Sequence, residues 1–210
     1  MTDQQDHEYL GVEIEDQKPP PPPETRASEL TSKQKQALEE LLNHNAHLFA
    51  KDMSEIGLTD LAQHRIDLDE KLVFKCRLKQ QPYPNQQHTK FIENEVEQML
   101  KHDIIEPARS PYGFPVVVVG KKNGKQRFCV NYSELNKCTI PFHYPYPRAE
   151  DLFNNIGTAT WFTNIDLASG YWQVPMDPWD MSKTTFICHL GSYWYKRMPF
   201  GLTNAPAEFQ

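Results

Sequence analysis

Cysteine is scarce. The four in 210 residues, Cys76, Cys129, Cys138 and Cys188, stand far apart and make no Cys-x-x-Cys pair. That spacing suggests neither a zinc knuckle nor a disulfide framework, so reduced thiols in an intracellular protein, cytoplasmic or nuclear, are expected. No apolar run approaches the ~20 residues of a membrane-crossing helix. The polar start MTDQQDHEYL is no signal peptide, no targeting signal is seen, and there is no internal repeat. Basic residues are scarce at the front: the first 60 residues hold 5 Lys and Arg against 13 Asp and Glu, and the remainder 17 against 15. The net charge of −6 therefore belongs to the leading segment, and the neutral-to-basic body behind it leaves a nucleic-acid partner open.

What is present is globular in composition, with 39% hydrophobic and 11% aromatic residues, although 17 prolines assign part of the chain to segments outside a core. Residues 1–27 contain DQKPPPPPETR, whose five consecutive prolines favour polyproline II and exclude helix. The stretch reads as a disordered acidic linker or as a proline-rich ligand. Residues 28–59 read as a helical connector, in which Thr31 and Gln34 have capping-box spacing and Leu38, Leu41 and Leu42 form a stripe that needs a cover. A second helix is expected in HTKFIENEVEQMLKHD, with Ile92, Val96, Met99 and Leu100 on its buried face. Between them, HRIDL and VFKCRLK look like short extended segments.

From residue 110 the texture changes. Two apolar runs flank Asn123-Gly124 in SPYGFPVVVVGKKNGKQRFCVNYSELNK, a hairpin signal. Lys121, Lys122, Lys125, Arg127 and Lys137 oppose only Glu134 across 114–137, so the tip either protects an edge strand or binds phosphate. A helical turn should end near Gly157, followed by a strand carrying Asp166 within TATWFTNIDLASGYWQV. A further hairpin joins TTFICHL to YWYKRMPF around Gly191-Ser192, and GLTNAPAEFQ opens a helix with Asn204 as N-cap and Pro206 in its first turn. An ionised carboxylate in an aromatic strand is costly unless exposed, hydrogen-bonded or neutralised. Asp166 could cap a helix that LASGY begins, pair with a distant base, or ligate a hard divalent metal, and local sequence leaves all three open.

The segments EVEQMLKHDIIEPARSPYGFPVVVVGKKNGKQRFCVNYSELNK, YPYPRAEDLF, FTNIDLASGYWQVPM and TTFICHLGSYWYKRMPFGLTNAPAEFQ resemble, in order and spacing, reverse transcriptases of gypsy-type LTR retrotransposons. The resemblance covers about residues 60–210. Upstream, LTSKQKQALEELLNHNAHLFA and LAQHRIDL resemble the connector between protease and polymerase in such Pol polyproteins. It implies an α+β fold, fingers plus an incomplete ferredoxin-like palm, and RNA-directed DNA polymerase chemistry by two metal ions, Mg²⁺ or Mn²⁺. It also implies an RNA or DNA template with primer, deoxynucleoside triphosphates, and the remainder of the polymerase as partners.

Residue by residue, the resemblance makes Asp166 the first catalytic carboxylate and a metal ligand, with the backbone carbonyl of Leu167 touching a metal beside it. Tyr171 matches the aromatic that stacks under the incoming sugar and clashes with a ribose 2′-hydroxyl. Arg127 and one of Lys121 or Lys122 match the grip on the triphosphate. Phe200 and Gly201 match the pair lining the nucleotide pocket, Phe200 standing where retroviral relatives often carry Gln. Asn136, Gly201 and Pro206 match positions near the templating strand.

Two departures from the family pattern follow. Asn131 in VNY stands where aspartate is usual, in a position of mainly structural use. No Asp-Asp pair occurs in the chain, whereas the family's other two catalytic aspartates sit in a Tyr-x-Asp-Asp turn on a later hairpin. The expectation is that those carboxylates lie beyond Gln210, that this chain alone has negligible polymerase activity, and that its uncovered edges seek a partner. The rival expectation is a degenerate remnant that only binds nucleic acid or protein.

Overall fold

Valine-rich and aromatic segments supply the sheet. In the computed structural model, which describes residues 30–73, 86–120, 124, 126–145, 147–159 and 161–210, the strands are β1 Ile105–Pro107, β2 Phe114–Gly120, β3 Gln126–Val130, β4 Phe186–Cys188 and β5 Gly191–Tyr195. They form one mixed sheet in the order β1-β5-β4-β2-β3. Both expected hairpins are there: Val119 faces Arg127 in the first and Phe186 faces Tyr193 in the second. Phe114 of β2 lies parallel to Phe186 of β4, which welds the two hairpins together. The helices are α1 Ser32–His44, α2 Glu70–Val73, α3 Gln86–Lys101, α4 Ser133–Cys138, α5 Ala149–Ile156 and α6 Ala205–Phe209. This is the expected α+β class.

The core centres on Phe186, which has no solvent exposure. Its ring meets Phe128 edge-on at 5.5 Å, Tyr195 at 5.4 Å and Tyr193 at 5.7 Å. Helix α3 buries Ile92, Val96 and Met99. Leu100, expected beside them, is 38% exposed: it lies at the edge of the apolar stripe, about 100° round the helix from Met99, where the core does not cover it. At α1 the capping box forms as expected, with Gln34 N–H donating to the Thr31 hydroxyl and Thr31 N–H to Gln34 Oε1. Its leucine stripe is only partly covered, with Leu38 and Leu42 half-buried and Leu41 exposed, and no residue of α1 is buried. Cys129, Cys138 and Cys188 are free thiols, as expected, and burial pushes the Cys129 and Cys188 thiols up. Cys76 lies outside the described residues.

HRIDL is extended and docked. His64 N–H donates to the Pro175 carbonyl and accepts from Asp177 N–H at its own carbonyl. Ile66 N–H donates to the Asp180 carboxylate, and Lys183 Nζ donates to the Ile66 carbonyl and to Asp180. VFKCRLK, apart from Val73 at the end of α2, lies outside the described residues.

His64 itself is 1% exposed, with Glu208 Oε2 4.0 Å from Nδ1. Burial lowers its pKa to about 4, against a smaller opposing pull from the Asp180 charge. The unfolded chain thus binds a proton that the folded chain refuses between about pH 6.5 and about 4. Stability from this group is present above pH 6.5 and is lost as pH falls through that window, by about 3 kcal/mol in total. Urea unfolding at pH 7 and pH 4.5 should show His64→Gln losing less stability on acidification than the parent; equal losses would place the acid sensitivity elsewhere.

Two local expectations are corrected. Residues 161–167 are irregular and exposed rather than a strand, because no described strand runs beside them to take their N–H and C=O groups, which are left to water. Asn204 does precede α6, but its side chain makes no cap bond. It instead accepts from Phe142 N–H and donates to the Ile140 carbonyl, because its own backbone is already helical (φ −94°, ψ −6°) and turns the amide away from the helix start. α5 ends at Gly157 as expected. No helix among the described residues is long and apolar enough to cross a membrane.

Candidate active site

The site is built where the second hairpin, α4 and the turn after Asp166 converge. Ser169 takes a left-handed conformation (φ 46°, ψ 49°) and swings the chain into a 3-10 turn, Gly170–Gln173. A Cβ on Gly170 would come 2.6 Å from the tip of the Phe209 ring, so a larger residue there must push that ring aside. The turn aims Tyr171 at Phe200, ring centroids 5.0 Å apart, with Phe209 on another side at 5.4 Å. Trp172 is buried beneath, 6.0 Å from Phe200.

Next to Phe200, Gly201 has φ +90°, a region that only glycine enters without strain. Asn136 on α4 holds this loop from both ends of its amide: Nδ2 donates to the Gly201 carbonyl at 2.8 Å, and Oδ1 accepts from Thr203 N–H at 3.0 Å. Tyr132 stands behind Gly201, its ring edge-on to Phe114 at 5.3 Å and its hydroxyl donating to the Thr184 carbonyl. Burial holds that phenol well above its ordinary pKa, so it remains a neutral donor. Asn131 accepts from the N–H and hydroxyl of Ser133, an Asx turn that starts α4. Its amide oxygen meets the local need that an aspartate would meet.

Of the residues singled out in the sequence, Tyr171, Phe200, Gly201 and Asn136 are thus brought together. Pro206 sits in the first turn of α6, whose Phe209 touches Tyr171. Arg127 is on β3, on the face opposite buried Phe128 and Val130. Lys121 and Lys122 lie outside the described residues. Asp166 and Leu167 are on the exposed approach to the turn, outside the packed cluster, and Ala168 after them is anchored by Gln173 Nε2 donating to its carbonyl at 2.9 Å. The carboxylate therefore escapes the desolvation cost that a buried strand would impose. Arg197 and the segment around Ile56 and Thr59, which touch this turn from behind, carried no signal in the sequence beyond a charge and a loop.

A hard divalent cation such as Mg²⁺ takes about six oxygen ligands. Asp166 and the Leu167 carbonyl offer oxygens of the correct kind, while no group of three or more His, Cys, Asp or Glu side chains gathers among the described residues. The described residues hold part of a donor set and do not complete one.

The α+β architecture with its five-stranded mixed sheet is that of reverse transcriptase fingers and palm. Residues 119–210 match the family model described as reverse transcriptase (RNA-dependent DNA polymerase), and the chain carries part of a reverse transcriptase of the LTR-retrotransposon kind. It is 37% identical over 191 residues to the retrovirus-related Pol polyprotein from transposon 297 of Drosophila melanogaster, covering 88% of this chain and 18% of that protein. It is 44% identical over 126 residues to the Pol polyprotein from transposon gypsy of the same fly, covering 57% of this chain and 12% of that protein. The RNA-directed DNA polymerase homolog of Oenothera berteroana is 52% identical over 83 residues, 40% of this chain and 58% of that protein. Among solved structures, the prototype foamy virus protease-reverse transcriptase superposes with a TM-score of 0.72 at 27% identity, covering 86% of this chain and 24% of that one. The foamy viral enzyme in complex with an RNA/DNA hybrid shares the fold, with a TM-score of 0.68 at 20% identity, covering 86% of this chain and 24% of that one. The chain spans less than a fifth of the length of these two fly polyproteins.

Proposed function

We propose that these residues form the fingers and early palm of an RNA-directed DNA polymerase, acting on a primed RNA or DNA template with deoxynucleoside triphosphates. The observation that carries this reading is the Tyr171–Phe200 contact beside Gly201, held by Asn136. It sets two aromatic rings, tilted by 35°, next to a loop whose backbone can approach a ligand closely, which suits a sugar or base. Arg127, with Lys121 or Lys122, meets the triphosphate, where a planar guanidinium suits phosphate oxygens. Asp166 and the Leu167 carbonyl would contribute oxygens to Mg²⁺ or Mn²⁺, which neutralise the phosphate charge when bound. Gly201, Asn136 and Pro206 lie along the template side, Asn136 by shaping the loop rather than by offering a free amide. The foamy viral relative bound to an RNA/DNA hybrid supports a nucleic-acid partner for the same fold. We assign residues 1–27 to a leader, 28–59 to a connector and 60–210 to the polymerase, working inside the cell with the rest of the polymerase as partner.

Primer extension on an RNA template with Mg²⁺ tests the reading, comparing this chain with a form that continues downstream through further palm sequence. Extension by the longer form and none by the shorter is expected. A longer form that binds the primed template and never extends it would favour the non-enzymatic remnant.

A further inference from the structure

The turn that presents Tyr171 is tied from behind to one cation and one upstream segment. Arg197 leaves β5 and brings its guanidinium Nη1 to the carbonyl of Trp172 at 3.1 Å, of Gly57 at 3.1 Å and of Ile56 at 3.4 Å. Thr59 N–H donates to the carbonyl of Gln173 at 2.8 Å. Two successive carbonyls of the turn, 172 and 173, are therefore tied to Arg197 and to residues 56–59. Trp172 N–H and Val174 N–H are spent within the turn on Ser169 and Tyr171, and the Val174 carbonyl accepts from Met198 N–H at 2.8 Å, so these outside bonds together set where the turn sits as a unit. The guanidinium is half-buried, and that burial lowers its pKa from an ordinary value so high that it keeps its charge at any working pH. Ile56 is itself buried in the core, which anchors the upstream end of the tie.

We infer that Arg197 is a positioning residue for sugar selection, and that the segment 56–59 is its strut. The inference rests on the assignment of Tyr171 to the sugar. A ring that excludes a 2′-hydroxyl works by a steric margin well under 1 Å, so discrimination depends on how rigidly its backbone is placed. The two N–H bonds of Nη1 serve the Trp172 and Gly57 carbonyls at 3.1 Å, with Ile56 at 3.4 Å the weaker contact, and a lysine ammonium on its flexible stem restores the charge without the planar placement of those donors. Residues 56–59 thereby take part in choosing the nucleotide although none is placed in the pocket.

The test uses the longer polymerase form and measures single deoxynucleotide against ribonucleotide incorporation, as the ratio of kcat/KM values. Arg197→Met should lower that ratio roughly tenfold, Arg197→Lys should recover part of it, and Thr59→Pro, which deletes the N–H donor without touching Arg197, should lower it in the same direction. Thermal unfolding identifies which variants are folded, and Arg197→Lys and Thr59→Pro keep the test open if Arg197→Met is not. Folded variants with the parent's ratio, alongside a Tyr171→Ala form that loses it, would overturn the inference and leave the pocket intact. If Tyr171→Ala also keeps the parent's ratio, the sugar assignment fails, and the role of Arg197 in selection fails with it.

Discussion

Replacing Asp166 by Asn in the longer polymerase form is expected to lower the primer-extension rate by at least ~10³-fold while leaving thermal unfolding unchanged. The substitution keeps the shape and removes the charge, so it separates chemistry from folding. Asp166 is exposed in an irregular approach to the Tyr171 turn. Exposed substitutions away from packed features usually change stability by less than ~0.5 kcal/mol. A carboxylate that ligates a catalytic cation, by contrast, acts as one of a set that fails together, so its loss should cost nearly the whole rate. Extension as fast as the parent's would show that the carboxylate is not a metal ligand. A loss of activity matched by a large loss of stability would show a structural role that the exposed position does not suggest.

The second large effect falls on the fold. Phe186→Ala should destabilise the chain by about 4 kcal/mol in urea unfolding. Phe186 contributes ring contacts to Phe128, Tyr193 and Tyr195, and its strand β4 joins the two hairpins through the parallel pair with Phe114. Truncation would leave a cavity bounded by aromatic rings that belong to different strands and cannot all close inward. A single domain is typically stable by only about 5–15 kcal/mol, so the loss would unfold a large fraction at raised temperature. Phe186→Leu, which keeps most of the volume, should cost about 1.5 kcal/mol. Equal, small losses for both substitutions would mean that the hairpins are held by their outer contacts instead.

Much of the fold was legible because its signals are short in range. The Thr31 and Gln34 capping box, the apolar runs around Asn123-Gly124, and the glycine after α5 each act over a few residues and formed where expected. The failures share a cause. Leu100 has the spacing of the buried stripe but stands at its edge, and whether an edge position is covered depends on what packs against the helix. The segment around Asp166 has the composition of a strand, but a strand exists only when another takes its hydrogen bonds, and that partner is not a property of the segment. Asn204 had the identity of a cap, and its backbone angle directed the amide to residues 140–142 instead.

By itself, the sequence determined the class of fold, the two hairpins, the family, and which residue types could meet a sugar, a phosphate or a metal, because these follow from local pattern and from motif order. Only the tertiary structure decided that Tyr171, Phe200, Gly201 and Asn136 form one cluster, that Asn136 is spent on the loop, and that His64 is buried while Asp166 is exposed. It alone joined Arg197 to residues 56–59 and the Tyr171 turn. Those facts depend on which carbonyls and rings meet between residues 25 apart, as for Trp172 and Arg197, to 141 apart, as for Ile56 and Arg197, and no local preference encodes such a meeting.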